Sequence, residues 1–190
     1  MNRLPKTSRH DKGYNLGSGT TATGRSGVTE RLWAPWRMRY IIEDKPEGCL
    51  FCTKRGATDD RENHIVWRGE RAFVLLNTYP YNNGHLMIAP HAHIADLEDL
   101  PPETLVEIMS LTQDAIRALK REFHPEGVNV GINLGAAAGA GIKDHLHVHI
   151  VPRWAGDTNF MPVVADVRVI PQSLDHAHAL LSRAFAEIKG

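Results

Sequence analysis

The sequence predicts an α+β fold with a mainly antiparallel sheet and helices packed on it. Three observations carry this. The elements run strands, a helix, strands, a helix, instead of alternating one by one as a parallel α/β fold requires. Residues 145–151, HLHVHIV, alternate polar and apolar side chains, the period of a strand with two different faces. Between Pro101 and Phe123, Leu105, Ile108, Met109, Ala115, Ile116, Leu119 and Phe123 recur at the three-and-four spacing of one helix face.

Residues 1–28 read as a flexible tail: Gly13, Gly17, Gly19, Gly24 and Gly27 alternate with Ser, Thr and Asn, which bury too little to offset the entropy of ordering. Residues 29–190 read as a single domain. The run LWAPWRMRYII (32–42) is an anchor segment, with Trp33, Pro35, Trp36 and Tyr40 suited to core or dimer packing or to a base pocket. Gly48 to Cys52 reads as a turn, and Lys54 to Asn63 as a charged loop. Ile65–Arg68 and Ala72–Asn77 are β-rich and separated by Gly69-Glu70, which predicts two strands. TYPYNNG (78–84) is a turn, and HLMIA (85–89) a third strand closed by Pro90. Pro101-Pro102 opens the long helix, with Glu103 at the positive end of its dipole, and His124-Pro125-Glu126-Gly127 ends it. Val128–Leu134 predicts a strand, residues 135–141 a small-residue loop, and 145–151 the last strand. Gln172–Lys189 predicts a closing helix with Leu174, Ala177, Leu181, Ala184, Phe185 and Ile188 on its apolar side.

Composition narrows the function. In 190 residues, 22 Lys plus Arg balance 22 Asp plus Glu, so there is no bulk field for nucleic acid or an anionic membrane. Apolar runs fall short of the roughly 18 residues a transmembrane helix needs. The N-terminus lacks an apolar signal-peptide core, and a cytoplasmic location is expected. Eleven histidines invite a search for metal or proton-transfer chemistry.

Strand geometry places His145, His147 and His149 on one face, roughly 7 Å apart, and Leu146, Val148 and Ile150 on the other. Three imidazoles in a row suit either a metal site or nucleophilic and acid/base chemistry on an anion. The adjacent Gly/Ala loop lets backbone N–H groups approach a ligand and favours phosphate. Asp144 falls on the opposite face. Arg153, at the strand end, suits either a distal phosphate or an ion pair. His10, His64, His124, His176 and His178 fit no pattern and read as surface or capping residues.

The run HLHVHIVPRW resembles the signature of the histidine triad (HIT) superfamily. FVLLNTYPYNNGHLMIAPHAH resembles its other hallmark. Together with RLWAPWRMRYI and HLHVHIVPRWAGDTNF, these motifs are most similar to the bacterial diadenosine tetraphosphate phosphorylases. The resemblance implies a HIT fold with a five-stranded sheet, commonly as a homodimer. It implies His147 as a nucleophile attacking the α-phosphorus of a dinucleoside polyphosphate to form a nucleotidyl-histidine. His149 would bind phosphate oxygens and assist the leaving group, and His85 would orient the triad. Asn77 would serve the ribose or base side, Asn133 the α-phosphate, Gly139, Ala140 and Gly141 the phosphates through their backbone, and Trp154 a pocket wall. Inorganic phosphate as acceptor gives a phosphorylase and water a hydrolase. Asn133 and the segment 154–160 favour the former; Ala140-Gly141, where phosphorylases carry Gly-Ser, favours the latter. A phosphoramidase, or a non-catalytic nucleotide-binding protein, are the other readings.

Cys49 and Cys52 form a C-x-x-C pair whose spacing suits two corners of a tetrahedral zinc. Free thiols, a disulfide or a redox pair are the alternatives. The resemblance implies His93 and His145 as the remaining ligands of a structural zinc, with His91 as the alternative to His93.

Overall fold

The structure is a computed structural model that describes residues 48–157 and 170–190. The predicted tail, the 32–42 anchor segment and His10 lie outside the described residues. Five strands form one antiparallel sheet in the order β1-β2-β3-β5-β4: β1 Ile65–Arg68, β2 Ala72–Leu76, β3 Leu86–Pro90, β4 Gly127–Ile132 and β5 Val148–Arg153. Among the described residues three helices accompany it: α1 Leu50–Gly56, α2 Pro102–Phe123 and α3 Leu174–Lys189. Short 3-10 turns occupy Leu97–Asp99 and Ala136–Ala138. No described helix is long and apolar enough to cross a membrane.

Helix α2 starts with proline in its first turn and Glu103 beside it, and ends on Lys120 and Arg121 before His124 takes a left-handed φ of 49°. Charge and dipole therefore agree at both ends. Its buried stripe steps through Thr104, Ile108, Leu111, Ala115, Ala118 and Leu119. Met109, expected on that face, is instead exposed, while Leu111 and Ala118 take core positions. Ser173 caps α3 by accepting from the His176 N–H.

The main core lies between the sheet and α2 and α3. Val74, Leu76, Leu86, Ile88, Leu146, Val148 and Ile150 meet Ile108, Leu111, Leu119, Leu181 and Phe185 there. The opposite sheet face carries a second cluster of Phe51, Ile65, Phe73, Leu75, Met87 and Ala89. Strands β2 and β3 are consequently buried on both faces along their whole length, which is why they read as unbroken apolar runs.

Three further sequence expectations change. The Gly48–Cys52 turn and the start of the following loop form α1, too short for periodicity to reveal. Its Phe51 is fully buried against the sheet. His178, expected at the surface, is buried, and its Nε2 donates to the Ile65 carbonyl at 2.8 Å, tying α3 to β1. Strand β5 begins at Val148, so His145 and His147 sit in the extended segment leading into it. The alternation still holds there, with Leu146 buried on the helix side.

Two carboxylates lock elements together. Glu107 of α2 accepts the N–H groups of Glu70 and Arg71 at 2.7 and 2.9 Å, fixing the β1–β2 turn. Asp114 receives Lys189 at 2.6 Å, fixing the end of α3 on α2.

Candidate active site

The α1 face of the sheet holds two adjoining clusters of imidazoles. In the first, one ligand atom from each of Cys49, Cys52, His93 and His145 lies within 4.8 Å of the others. Cys49 Sγ is 3.2 Å and Cys52 Sγ 3.7 Å from His145 Nδ1, and Cys52 Sγ is 3.4 Å from His93 Nδ1. The Nε2 of His145 donates to the Pro90 carbonyl at 2.9 Å. A carbonyl only accepts, so His145 carries its proton on Nε2 and leaves Nδ1 bare toward the two sulfurs, as metal-bound histidines do when their other ring nitrogen donates to a backbone carbonyl. Burial, and then the hydrogen bond and charge of Cys49, raise the Cys52 thiol, a penalty that a divalent cation between the sulfurs removes. These four residues fit a metal ion. His91 takes no part: it stacks on Phe73 and its Nε2 donates to the Gly69 carbonyl.

The second cluster contains His147, His149 and His85. Phe51 packs beneath it, with its ring centroid 4.8 Å from His147 and 5.1 Å from His145. His147 Nδ1 donates to the His145 carbonyl at 2.9 Å, so its Nε2 lone pair is bare. Burial lowers its pKa, against the raising effect of that bond, so the ring is neutral near pH 7. His149 meets His147 edge to face, ring centroids 4.7 Å apart.

The proton on His149 follows from a chain of contacts. The Tyr81 N–H donates to His85 Nδ1 at 3.1 Å, and Asn77 Nδ2 lies 3.4 Å from the same nitrogen. His85 Nδ1 is therefore an acceptor, and its proton sits on Nε2. That Nε2 lies 3.0 Å from His149 Nδ1 and donates to it. His149 then carries its own proton on Nε2. Burial first, and then the His147 ring, lower the His149 pKa to about 4. The site thus presents a bare nitrogen on His147 beside an N–H on His149.

Other candidate residues fall at different distances. Ile132 pairs with Val148 and Gly131 with His149, so the half-buried Asn133 and His147 each lie one residue beyond the last β4–β5 pair. The 135–141 loop turns on Gly135 and Gly139, with φ of 77° and 90°. The Ala140 N–H donates to the Gly135 carbonyl at 3.3 Å, so it serves the loop itself in this state. Asn77 accepts the Tyr79 N–H and contacts His85, holding the turn as well as facing the site. Trp154 is not brought to the triad: it sits beyond the far end of β5, seven residues or roughly 20 Å from His147, and its Nε1 donates to the His124 carbonyl. Asp144 is exposed and pairs with Lys143, while Arg153 pairs with Asp157.

Sequence reasoning missed Phe51, Tyr81 and the Pro90 carbonyl. Tyr81 had a signal, since it precedes Gly84-His85 in the turn; its ring stacks on His85 at 4.7 Å. Phe51 sat between the two cysteines of C-x-x-C. A backbone acceptor such as Pro90 leaves no trace in side-chain pattern.

A five-stranded antiparallel sheet with two long helices on one face and a histidine triad at the head of an interior strand defines a histidine triad domain. The HIT domain model matches residues 58–156, and the chain belongs to this family. It is 40% identical over 171 residues to the AP-4-A phosphorylase of Mycobacterium tuberculosis, covering 86% of this chain and 88% of that protein. A crystal structure of a Zn-bound histidine triad family protein from Mycobacterium smegmatis superposes with a TM-score of 0.60 at 28% identity, over 75% of this chain and 96% of that one. A Plasmodium falciparum diadenosine triphosphate hydrolase shares the fold, with a TM-score of 0.55 at 18% identity, over 82% of this chain and 94% of that one.

Proposed function

We propose that the protein is a nucleotidyl transferase that cleaves diadenosine tetraphosphate or a close dinucleoside polyphosphate, with inorganic phosphate as acceptor. The observation that carries the reading is the pairing of a bare His147 Nε2 with a protonated His149 Nε2. The likeness to the AP-4-A phosphorylase over most of both chains supports the substrate class.

The chemistry follows from the two nitrogens. His147 Nε2 attacks the α-phosphorus, a P–N bond forms and the P–O bond to the remaining phosphates breaks. The His149 N–H donates to the developing charge on the leaving oxygen, and ATP departs. The His145 carbonyl stabilises the positive His147 ring in the intermediate. An oxygen of inorganic phosphate then attacks the same phosphorus, the P–N bond breaks, and ADP leaves. Asn133, one residue beyond the last β4–β5 pair, would bind an α-phosphate oxygen in this reading.

Zinc suits the Cys49, Cys52, His93 and His145 set, because two thiolates and two imidazoles give four protein ligands and no open position. A closed site is structural: it supplies folding energy and fixes His145, whose carbonyl holds His147.

A hydrolase is the second reading. Ala140-Gly141 offers no hydroxyl, and the Ala140 N–H is already engaged with Gly135. Product analysis separates the two. With diadenosine tetraphosphate and phosphate, ATP and ADP are expected, and turnover rises with phosphate. ATP and AMP, at a rate indifferent to phosphate, would overturn the phosphorylase reading.

A further inference from the structure

Outside the triad, one carboxylate gathers an unusual number of donors. Asp157 accepts from Arg153 Nε at 2.6 Å and Nη2 at 3.0 Å, from Asn82 Nδ2 at 2.8 Å and from the Trp154 N–H at 3.3 Å. Its side chain is only 9% exposed. The Arg153 hydrogen bond, with other contributions, holds its carboxyl down to about 2, so it is ionised at any working pH.

Asn82 connects this carboxylate to the histidines. The same Asn82 amide group that reaches Asp157 also donates to the Pro152 carbonyl at 3.1 Å, so its side chain is pinned to the end of β5 at two points. Its backbone carbonyl accepts the His85 N–H at 3.2 Å. The preceding residue, Tyr81, supplies the N–H that makes His85 Nδ1 an acceptor. Asn82 therefore stands between β5 and the two backbone groups that fix His85.

The consequence is a choice between two proton arrangements. With the Tyr81 N–H on His85 Nδ1, the protons run His85 Nε2–H to His149 Nδ1, and His149 presents Nε2–H. Without it, and with the Asn77 amide 3.4 Å away turned to offer its oxygen, His85 can move its proton to Nδ1. Its Nε2 then accepts from His149 Nδ1–H, and His149 faces the substrate with a bare nitrogen that can donate nothing.

We propose that Asp157 and Asn82 are positioning residues of the active site, a strut from the end of β5 that holds the Tyr81 N–H on His85 and so keeps the proton of His149 on Nε2. Neither touches the reacting atoms; both act through Tyr81 and His85. The strut rests on the functional reading above for its effect on turnover, but not for its effect on the tautomer.

The test uses the full chain labelled with 15N at histidine, and long-range 1H–15N correlation spectra to read which nitrogen of His149 is protonated. Asn82→Ala and Asp157→Ala are expected to shift His149 from Nε2–H to a mixture. They should lower kcat about tenfold or more with KM little changed, since the lost group acts on the leaving oxygen. The double variant should lose no more than the worse single one. Asp157→Asn, which keeps an oxygen for Asn82, should recover most of the activity. Arg153→Ala, which leaves the carboxylate on Asn82, should keep the wild-type tautomer. Should Asp157→Ala fail to fold, Asn82→Ala and Asp157→Asn carry the comparison. An unchanged His149 tautomer in Asn82→Ala, or a loss confined to KM, would overturn the proposal. Because the tautomer is read on resting protein without substrate, that arm stands or falls independently of the substrate assigned above.

Discussion

At the scale of single residues, the fold decides where protons sit on four imidazoles. His145 and His147 are fixed by one carbonyl each, and His85, and through it His149, by the Tyr81 N–H with Asn77 Nδ2 beside it. Neutrality in the fold has a cost in acid. The His149 ring titrates at about 4 in the folded protein and near 6.5 when unfolded. Between those values the unfolded chain binds more protons, so stability rises with pH and is lost as pH falls from about 6.5 through about 4. His145 and His147 are lowered in the same direction. Urea denaturation of wild type and His149→Asn at about pH 7.5 and about pH 5 should show the wild type losing more stability. Equal losses would contradict the buried, neutral ring. The alternation in HLHVHIV was enough to put the three histidines on one face. Which nitrogen of each carries its proton could not be read from it, because the deciding partners are backbone groups such as Pro90 and Tyr81, brought in by folding.

At the scale of elements, the site depends on the junction between the turn 78–84 and α2. Gly84 has a φ of +72°, and a Cβ there would come within 2.5 Å of the Phe123 ring at the end of α2. Both the left-handed backbone and the close approach demand glycine. Gly84→Ala is expected to cost about 2–4 kcal/mol of stability, combining left-handed strain with overpacking against Phe123. Denaturant melts measure it; a loss under about 0.5 kcal/mol would mean that the ring moves freely aside. The periodic elements were legible: all five strands and both long helices follow from alternation, spacing and Gly or Pro punctuation. Helix α1 was not, because seven residues give no period, and burial of Phe51 against the sheet and the triad secures it. Met109 shows the same limit on α2: spacing marks a face, but only packing decides how wide the buried stripe is.

At the scale of the whole molecule, the four metal-ligand residues come from α1, from the segment after β3 and from the approach to β5. A metal there would join parts of the chain that are distant in sequence, and the His145 carbonyl would link it to His147, the proposed nucleophile. Removing metal with a chelator should lower stability by about 2.7 kcal/mol relative to free metal at about 100 times its Kd, bring the unfolding midpoint down with it, and lower turnover as well. Metal content near zero in protein purified without chelator, or a midpoint indifferent to chelation, would remove zinc from the account. The C-x-x-C spacing exposed half of this set; the histidine half needed a family pattern, since His91 and His93 are equivalent in sequence until the chain after β3 turns. The central claim is that His147 becomes covalently nucleotidylated. Mass spectrometry of protein mixed rapidly with diadenosine tetraphosphate, without phosphate, tests it most directly. The account predicts one adenylyl group on the peptide carrying His147, released as ADP when phosphate is added and absent in His147→Ala. No adduct, or an adduct that persists in His147→Ala, would contradict it.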